Sequence, residues 1–249
     1  MLRAHSIMTD LSSVSERSPS ESKYVCVNCM KPVESLYTEY SKEVIRITEC
    51  SKCKKIADKY IEYDTVLIFN DLFLQYSAAY RHLLLNTNFD SYARIGMLFI
   101  LADAYNKWIL RQTHLQSARV YDLEWHFYEA LIKSSLECFT YLLTSYFLSL
   151  YFIGKNAKMH PFKFFVGRSV VGFFGNIFVV FSIIWHLHEY ESYRLLMKLF
   201  IFISQIQVQK TLCPSLTTTM CVNIVMISIA ARVGIGFIFS YFISTFSTI

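Results

Sequence analysis

Two C-x-x-C pairs, Cys26-x-x-Cys29 and Cys50-x-x-Cys53, constrain this chain more than any other stretch. One such turn lets two sulfurs reach a single cation, and a second completes a tetrahedral thiolate cage for Zn²⁺. Four protein ligands leave no coordination position for water or substrate, so the expected role is structural rather than catalytic. The intervening chain fits a small ribbon over residues 24–60, running knuckle, strand, turn, strand, knuckle. Its clearest strand is the β-branched, roughly alternating run from Val44 to Thr48. So small a unit buries little apolar area, and metal binding would supply most of its folding free energy. Lys31, Lys52, Lys54 and Lys55 flank the cysteines and offset the negative charge of a tetrathiolate centre; solvated surface lysines are the ordinary alternative.

The remainder of the chain is of a different character. Hydrophobic residues make up 54% of the 249 residues and charged residues only 17%. That balance is too apolar for an ordinary soluble protein. The apolar residues are also unevenly placed, sparse up to about residue 65 and dominant after about residue 136. A small polar head on a membrane body follows. The net charge of +5 is modest and unconcentrated, which argues against a nucleic-acid partner and for lysines and arginines near a cytosolic membrane surface. Cys138, Cys213 and Cys221 lie in apolar segments, where a free thiol packs as a small hydrophobe. A thiolate metal site places the head in a reducing compartment. Residues 1–23 are Ser-rich, lack an apolar signal core and read as a disordered tail.

Between head and body, residues 66–86 combine an apolar face with a polar one. Val66, Phe69, Phe73, Tyr76, Tyr80 and Leu83 follow three- and four-residue steps, while Asn70, Asp71, Gln75, Arg81 and His82 gather opposite. The pattern predicts an amphipathic helix lying in the membrane interface, with Phe69, Phe73, Tyr76, Tyr80 and Leu83 toward lipid. A spanning helix would bury Asp71 and Arg81 at about 2.5–3.5 kcal/mol each, and packing of this face on the ribbon is the alternative. Residues 89–135 read as a polar helical or interfacial linker. The transmembrane body, 136–249, holds predicted spans at about 136–153, 164–185 and 218–243, with 195–208 a shorter candidate. Gly167, Gly172 and Gly175 permit close packing in the second span, without a G-x-x-x-G. The positive-inside rule favours a cytosolic head, but the loop after residue 153 is also lysine-rich. Either that loop is lumenal against the rule, or the Ile95–Leu110 region crosses or re-enters the membrane.

Little else suggests catalysis. The run WHLHEYE brings His186, His188, Glu189 and Glu191 together where the second span meets water, a boundary that enriches such residues anyway. There is no H-E-x-x-H, G-x-S-x-G or phosphate-cradling glycine loop. Of the charges in apolar segments, Lys198 and Arg168 can snorkel to an interface. Arg232 sits nearest the middle of its stretch and is the residue to test first.

The run from Tyr24 to Asn86 resembles the Arv family, endoplasmic-reticulum proteins named as ACAT-related enzyme required for viability. The resemblance rests on the two C-x-x-C pairs coupled to ADKYIEYD at 57–64 and AYRHLLLN at 79–86, so the homology region is taken as 24–88. It implies a multi-span α-helical endoplasmic-reticulum membrane protein, not an enzyme, that acts in sterol distribution and sphingolipid homeostasis. It also implies a part in presenting a glycosylphosphatidylinositol intermediate. Membrane lipids would be its partners, chiefly sterol, with sphingolipid or that intermediate beside it, together with the enzymes of glycosylphosphatidylinositol assembly. The second reading is a non-catalytic zinc-ribbon subunit of an endoplasmic-reticulum glycosyltransferase complex.

Overall fold

The computed structural model describes residues 24–41, 44–62, 64–87, 91–112, 120–154 and 160–246; the Ser-rich tail and Lys155 and Lys158 lie outside them. The chain divides into a unit ending at Ile61 and a larger one beginning at Glu62.

The first unit is two short antiparallel hairpins. β1 (Tyr24–Val25) pairs with β2 (Pro32–Val33), and β3 (Tyr37–Ser41) pairs with β4 (Val44–Ile47) with a bulge between Glu39 and Ser41. Its core is Cys26, Val33, Leu36, Cys50 and Ala57, with Tyr24, Tyr37 and Ile61 packed against it. Five core residues are too few to hold a fold by burial alone. The ADKYIEYD stretch closes the unit. Ala57 donates its N–H to the Thr48 carbonyl and accepts from Val27, while buried Asp58 accepts the Tyr60 N–H at the 3₁₀ turn Lys59–Ile61.

The second unit is helical. Its first elements are α1 (Thr65–Phe73), α2 (Ser77–Arg81) and a π-helical turn, His82–Asn86. The predicted single helix over 66–86 is therefore broken, and the cause is local. Gln75 adopts φ +60°, the Gln75 N–H bonds the Leu72 carbonyl and the Tyr76 N–H bonds that of Asp71. This paired arrangement is a Schellman stop, usually signalled by glycine and here made without one. The break divides the expected lipid face. Val66, Phe69, Phe73 and Tyr76 remain exposed and Leu83 is half-buried, but Tyr80 is fully buried, its hydroxyl bonded to Ser204 Oγ at 2.8 Å and donated to Gln75 Oε1 at 3.0 Å.

The stretch 89–135, expected to be helical, is so where it is described. It supplies α3 (Tyr92–Gln112) and the first half of α4 (Val120–Ile153). α3 contributes buried Phe99 and Ala104 and packs on α4, so it belongs to the helical core. The predicted span 164–185 is three pieces: α5 (Phe162–Ser169), a nine-residue 3₁₀ segment (Val170–Phe178) and α6 (Val179–Trp185). Runs of 3₁₀ beyond three or four residues are uncommon. Here the three-residue repeat stacks Ser169, Gly172, Gly175 and Phe178 into one ridge. A Cβ on Gly172 would stand 2.3 Å from Gln205 Oε1, and one on Gly175 2.5 Å from Ile201 Cγ1. The glycines thus let this ridge press onto α7 (Glu191–Leu212), the helix that contains the short candidate 195–208.

α4 and α8 (Thr218–Phe246) pack against each other. Within them, Glu124–Ile153 (30 residues) and Thr218–Thr245 (28 residues) are long and apolar enough to cross a membrane. At about 1.5 Å per residue each exceeds the ~30 Å hydrocarbon thickness. Only 28% and 22% of their apolar windows are buried. Core helices of a soluble protein would be mostly covered, whereas these turn Phe139, Phe147, Leu150, Ile227, Phe237 and Phe242 outward. No other described helix meets the same measure.

Candidate metal centre and buried charge cluster

Each C-x-x-C pair sits on a turn of the same design. The Cys26 carbonyl accepts the Met30 N–H at 2.9 Å and the Cys50 carbonyl the Lys54 N–H at 2.9 Å. Each cysteine's own N–H reaches one residue farther, Cys26 to Lys31 and Cys50 to Lys55. The fifth residue of both turns, Met30 and Lys54, takes a left-handed backbone with φ +61° and +57°. That conformation costs a non-glycine residue free energy, so something must hold both turns in place. The sulfurs supply the reason. All four Sγ atoms lie within 4.8 Å of one another, with Cys26–Cys53 at 3.8 Å and Cys29–Cys50 at 3.5 Å. These separations far exceed the ~2.05 Å of a disulfide. They match the edges of about 3.8 Å that a tetrahedron with 2.3 Å metal–sulfur bonds requires.

The protein's own groups already divide the thiols. Burial pushes Cys26 up to about 11, against the pull of backbone N–H groups of Cys29 and Asn28. Backbone N–H groups of Cys53 and Lys52 aimed at Cys50 hold that thiol down at about 6. Cys26, Cys29, Cys50 and Cys53 could hold one metal ion, and among the described residues no other group of three or more His, Cys, Asp or Glu converges in this way. In the WHLHEYE run, Glu191 instead pairs with Arg194 at 3.0 Å.

A second constellation lies inside the helical unit. Arg232 on α8 donates through Nη2 to Asp103 on α3 at 3.2 Å and through Nε to Glu137 on α4 at 3.3 Å. Lys107, one turn after Asp103, reaches Asp103 and Glu137 at 2.7 Å each and Ser134 at 2.9 Å. Two cations and two carboxylates thus join three helices with no net charge. Phe173 lies beneath the Arg232 guanidinium, 5.3 Å from its ring centre, and its ring meets Tyr141 edge-on at 5.2 Å. Gly236, one turn beyond Arg232, makes room for Glu137, whose Oε1 would be 2.5 Å from a Cβ at that position. Arg168, by contrast, meets no carboxylate among the described residues: it donates to the Leu84 carbonyl and lies 3.5 Å from the Phe164 ring centre.

The Arv1-like family model matches residues 25–208, from the first knuckle through most of α7. The chain belongs to the Arv1-like family. Protein ARV1 of Mus musculus is 33% identical over 192 residues, covering 74% of this chain and 71% of that protein. Protein ARV1 of Homo sapiens is 32% identical over 197 residues, covering 74% and 70%. The Saccharomyces cerevisiae Protein ARV1 is 52% identical over 62 residues, 25% of this chain and 19% of that protein. No solved structure matches.

The Arv1-like match takes in all four cysteines, Asp103, Lys107 and Glu137 but ends before Arg232. Arg232 stands out in the sequence as an intramembrane charge, whereas Asp103 and Lys107 fall within the expected linker 89–135 and Glu137 within the expected span 136–153. The i, i+4 spacing of Asp103 and Lys107 was the available signal for their pairing. Nothing local connects either to a residue more than a hundred positions downstream.

Proposed function

We propose that this Arv1-like chain is a multi-span, non-enzymatic membrane protein of the endoplasmic reticulum that binds sterol and promotes its redistribution between membranes. In this reading it also contributes to sphingolipid homeostasis and helps present a glycosylphosphatidylinositol intermediate. The observation that carries the reading is the inverted polarity of α3, α4 and α8, with large apolar side chains of α4 and α8 outside and an ion-paired quartet between the three helices. That is the arrangement lipid as a solvent demands. α3, the α5–α6 segment and α7 would complete the body within or against the bilayer. Cys26, Cys29, Cys50 and Cys53 would hold Zn²⁺, a closed ion that supplies folding free energy to the cytosolic head and no reaction step. The family resemblance supplies the compartment and the lipid classes.

The test is reconstitution of the purified full chain in phosphatidylcholine vesicles containing a fluorescent sterol, with sterol-free acceptor vesicles added. Faster sterol transfer than from protein-free vesicles is the expected result. Transfer at the protein-free rate, with the chain inserted and folded, would overturn the reading.

A further inference from the structure

We propose that a cavity beside Arg232 and the apolar groove next to it form one binding site for a lipid whose polar end is a single hydroxyl. The inference rests on the lipid-handling reading and gives it a place and a ligand chemistry. The cavity is only about 10 Å³, and its wall includes Asp103, Ser134, Asn176 and Arg232. A volume of roughly 10–15 Å³ accommodates one water-sized oxygen, so a hydroxyl fits and a phosphate or sugar does not. Beside it, Ile100, Leu136, Phe139 and Leu142 line an almost wholly apolar groove of about 390 Å³. Ile100 and Cys138 wall both spaces, so groove and cavity adjoin across these two side chains, and the proposed ligand would lie in the groove with its hydroxyl directed toward the cavity.

The electrostatics select the same ligand. Asp103, Lys107, Glu137 and Arg232 already balance one another, so an anionic headgroup would add an uncompensated charge where water is excluded. A neutral hydroxyl needs only one donor and one acceptor. Arg232 can donate: its bonds to the carboxylates are 3.2–3.3 Å, longer than the 2.7 Å that Lys107 achieves, and its Nη1 makes no hydrogen bond among the described residues. Asp103 also lines the cavity and offers a carboxylate as the acceptor.

The experiment uses the full chain in phosphatidylcholine vesicles with a diazirine-bearing sterol, and maps the photolabel by mass spectrometry. Label is expected on Ile100 or between Leu136 and Leu142, displaced by unlabelled sterol. The corresponding 3-keto sterol, which cannot donate to Asp103, should compete about tenfold less well. Phosphatidylinositol should not compete. Cys138→Phe, which fills the shared wall and leaves the four charges in place, should abolish this label. Label confined to other helices, or equal competition by the ketone or by phosphatidylinositol, would overturn the site. The ketone comparison uses the unaltered protein and stands even if Cys138→Phe fails to fold. Sterol transfer measured in parallel separates the two readings. Transfer without groove labelling removes only the site, and groove labelling without transfer keeps the site and removes the transport function.

Discussion

Replacing Arg232 with Met removes one cation from a quartet that otherwise sums to zero. Its side chain is 19% exposed and those of Asp103 and Glu137 16% and 9%, so the carboxylates left behind have little water to turn to. With Lys107 alone opposing them, the cluster carries one unbalanced negative charge between α3, α4 and α8. Breaking such a buried pair on one side costs about 3–5 kcal/mol. Removing the matching charge as well, in Arg232→Met with Glu137→Gln, leaves Lys107 against Asp103 and should recover most of that loss. The assay is maleimide labelling on a temperature ramp in detergent, read separately on the peptides bearing Cys138, Cys213 and Cys221. Cys213 and Cys221 are fully buried and react only as the bundle opens. At the usual 2–4 °C per kcal/mol for a chain of this length, the single variant should open roughly 6–20 °C earlier than wild type. If the double variant opens no later than the single one, the quartet is not a charge-balanced unit and the reasoning fails.

Other expectations follow from the same structure. Gly236→Ala should destabilise by about 1–3 kcal/mol by pushing Glu137 aside; Gly234→Ala, with nothing within 4 Å of the added Cβ, should be neutral or gain up to ~1 kcal/mol of helix propensity. The same labelling ramp ranks the two, and equal effects would contradict the Glu137 contact. In the head, Cys50 is held down at about 6 and Cys26 up at about 11, so between those values the bound ion must displace the Cys26 proton. Apparent zinc affinity should therefore rise about tenfold or more per pH unit near neutrality and fall with acid. Competition with a chromophoric chelator at two pH values checks this, and a flat response would refute it. Phe73→Asp should detach α1 from Phe178 and Phe200, whose ring centres lie 5.1 and 5.7 Å away, and slow sterol transfer while zinc content stays unchanged. Normal transfer in a folded Phe73→Asp protein would exclude α1 from the lipid work.

The cysteine centre was legible because its information is local. Two short turns, each closed by its own backbone, present sulfurs in the spacing a tetrahedral cation needs, and the hairpin between them follows from a β-branched run. The two long apolar stretches were legible for a similar reason, since length and hydropathy alone decide whether a helix can span hydrocarbon. The face at 66–86 was legible only as a periodicity. Periodicity says which residues share a side of an unbroken helix, and the stop at Gln75 uses a left-handed residue that is not glycine. It thereby sends Tyr80 inward to Ser204, away from the face it was expected to share with Phe69 and Phe73.

By itself, then, the sequence determined a four-cysteine ribbon, a strongly apolar body, at least two membrane-length helices and membership of the Arv1-like family. Tertiary structure decided the rest. The close seat of Gly172 and Gly175 in the 3₁₀ segment is set by α7, whose Gln205, Phe200 and Ile201 side chains stand where a Cβ would go. The charge quartet exists because Arg232 meets partners 95 and 129 residues away. Over such separations a charged residue in the sequence announces only the cost of burying it. Whether that cost is met, and by which opposite charge, is settled only when the helices pack.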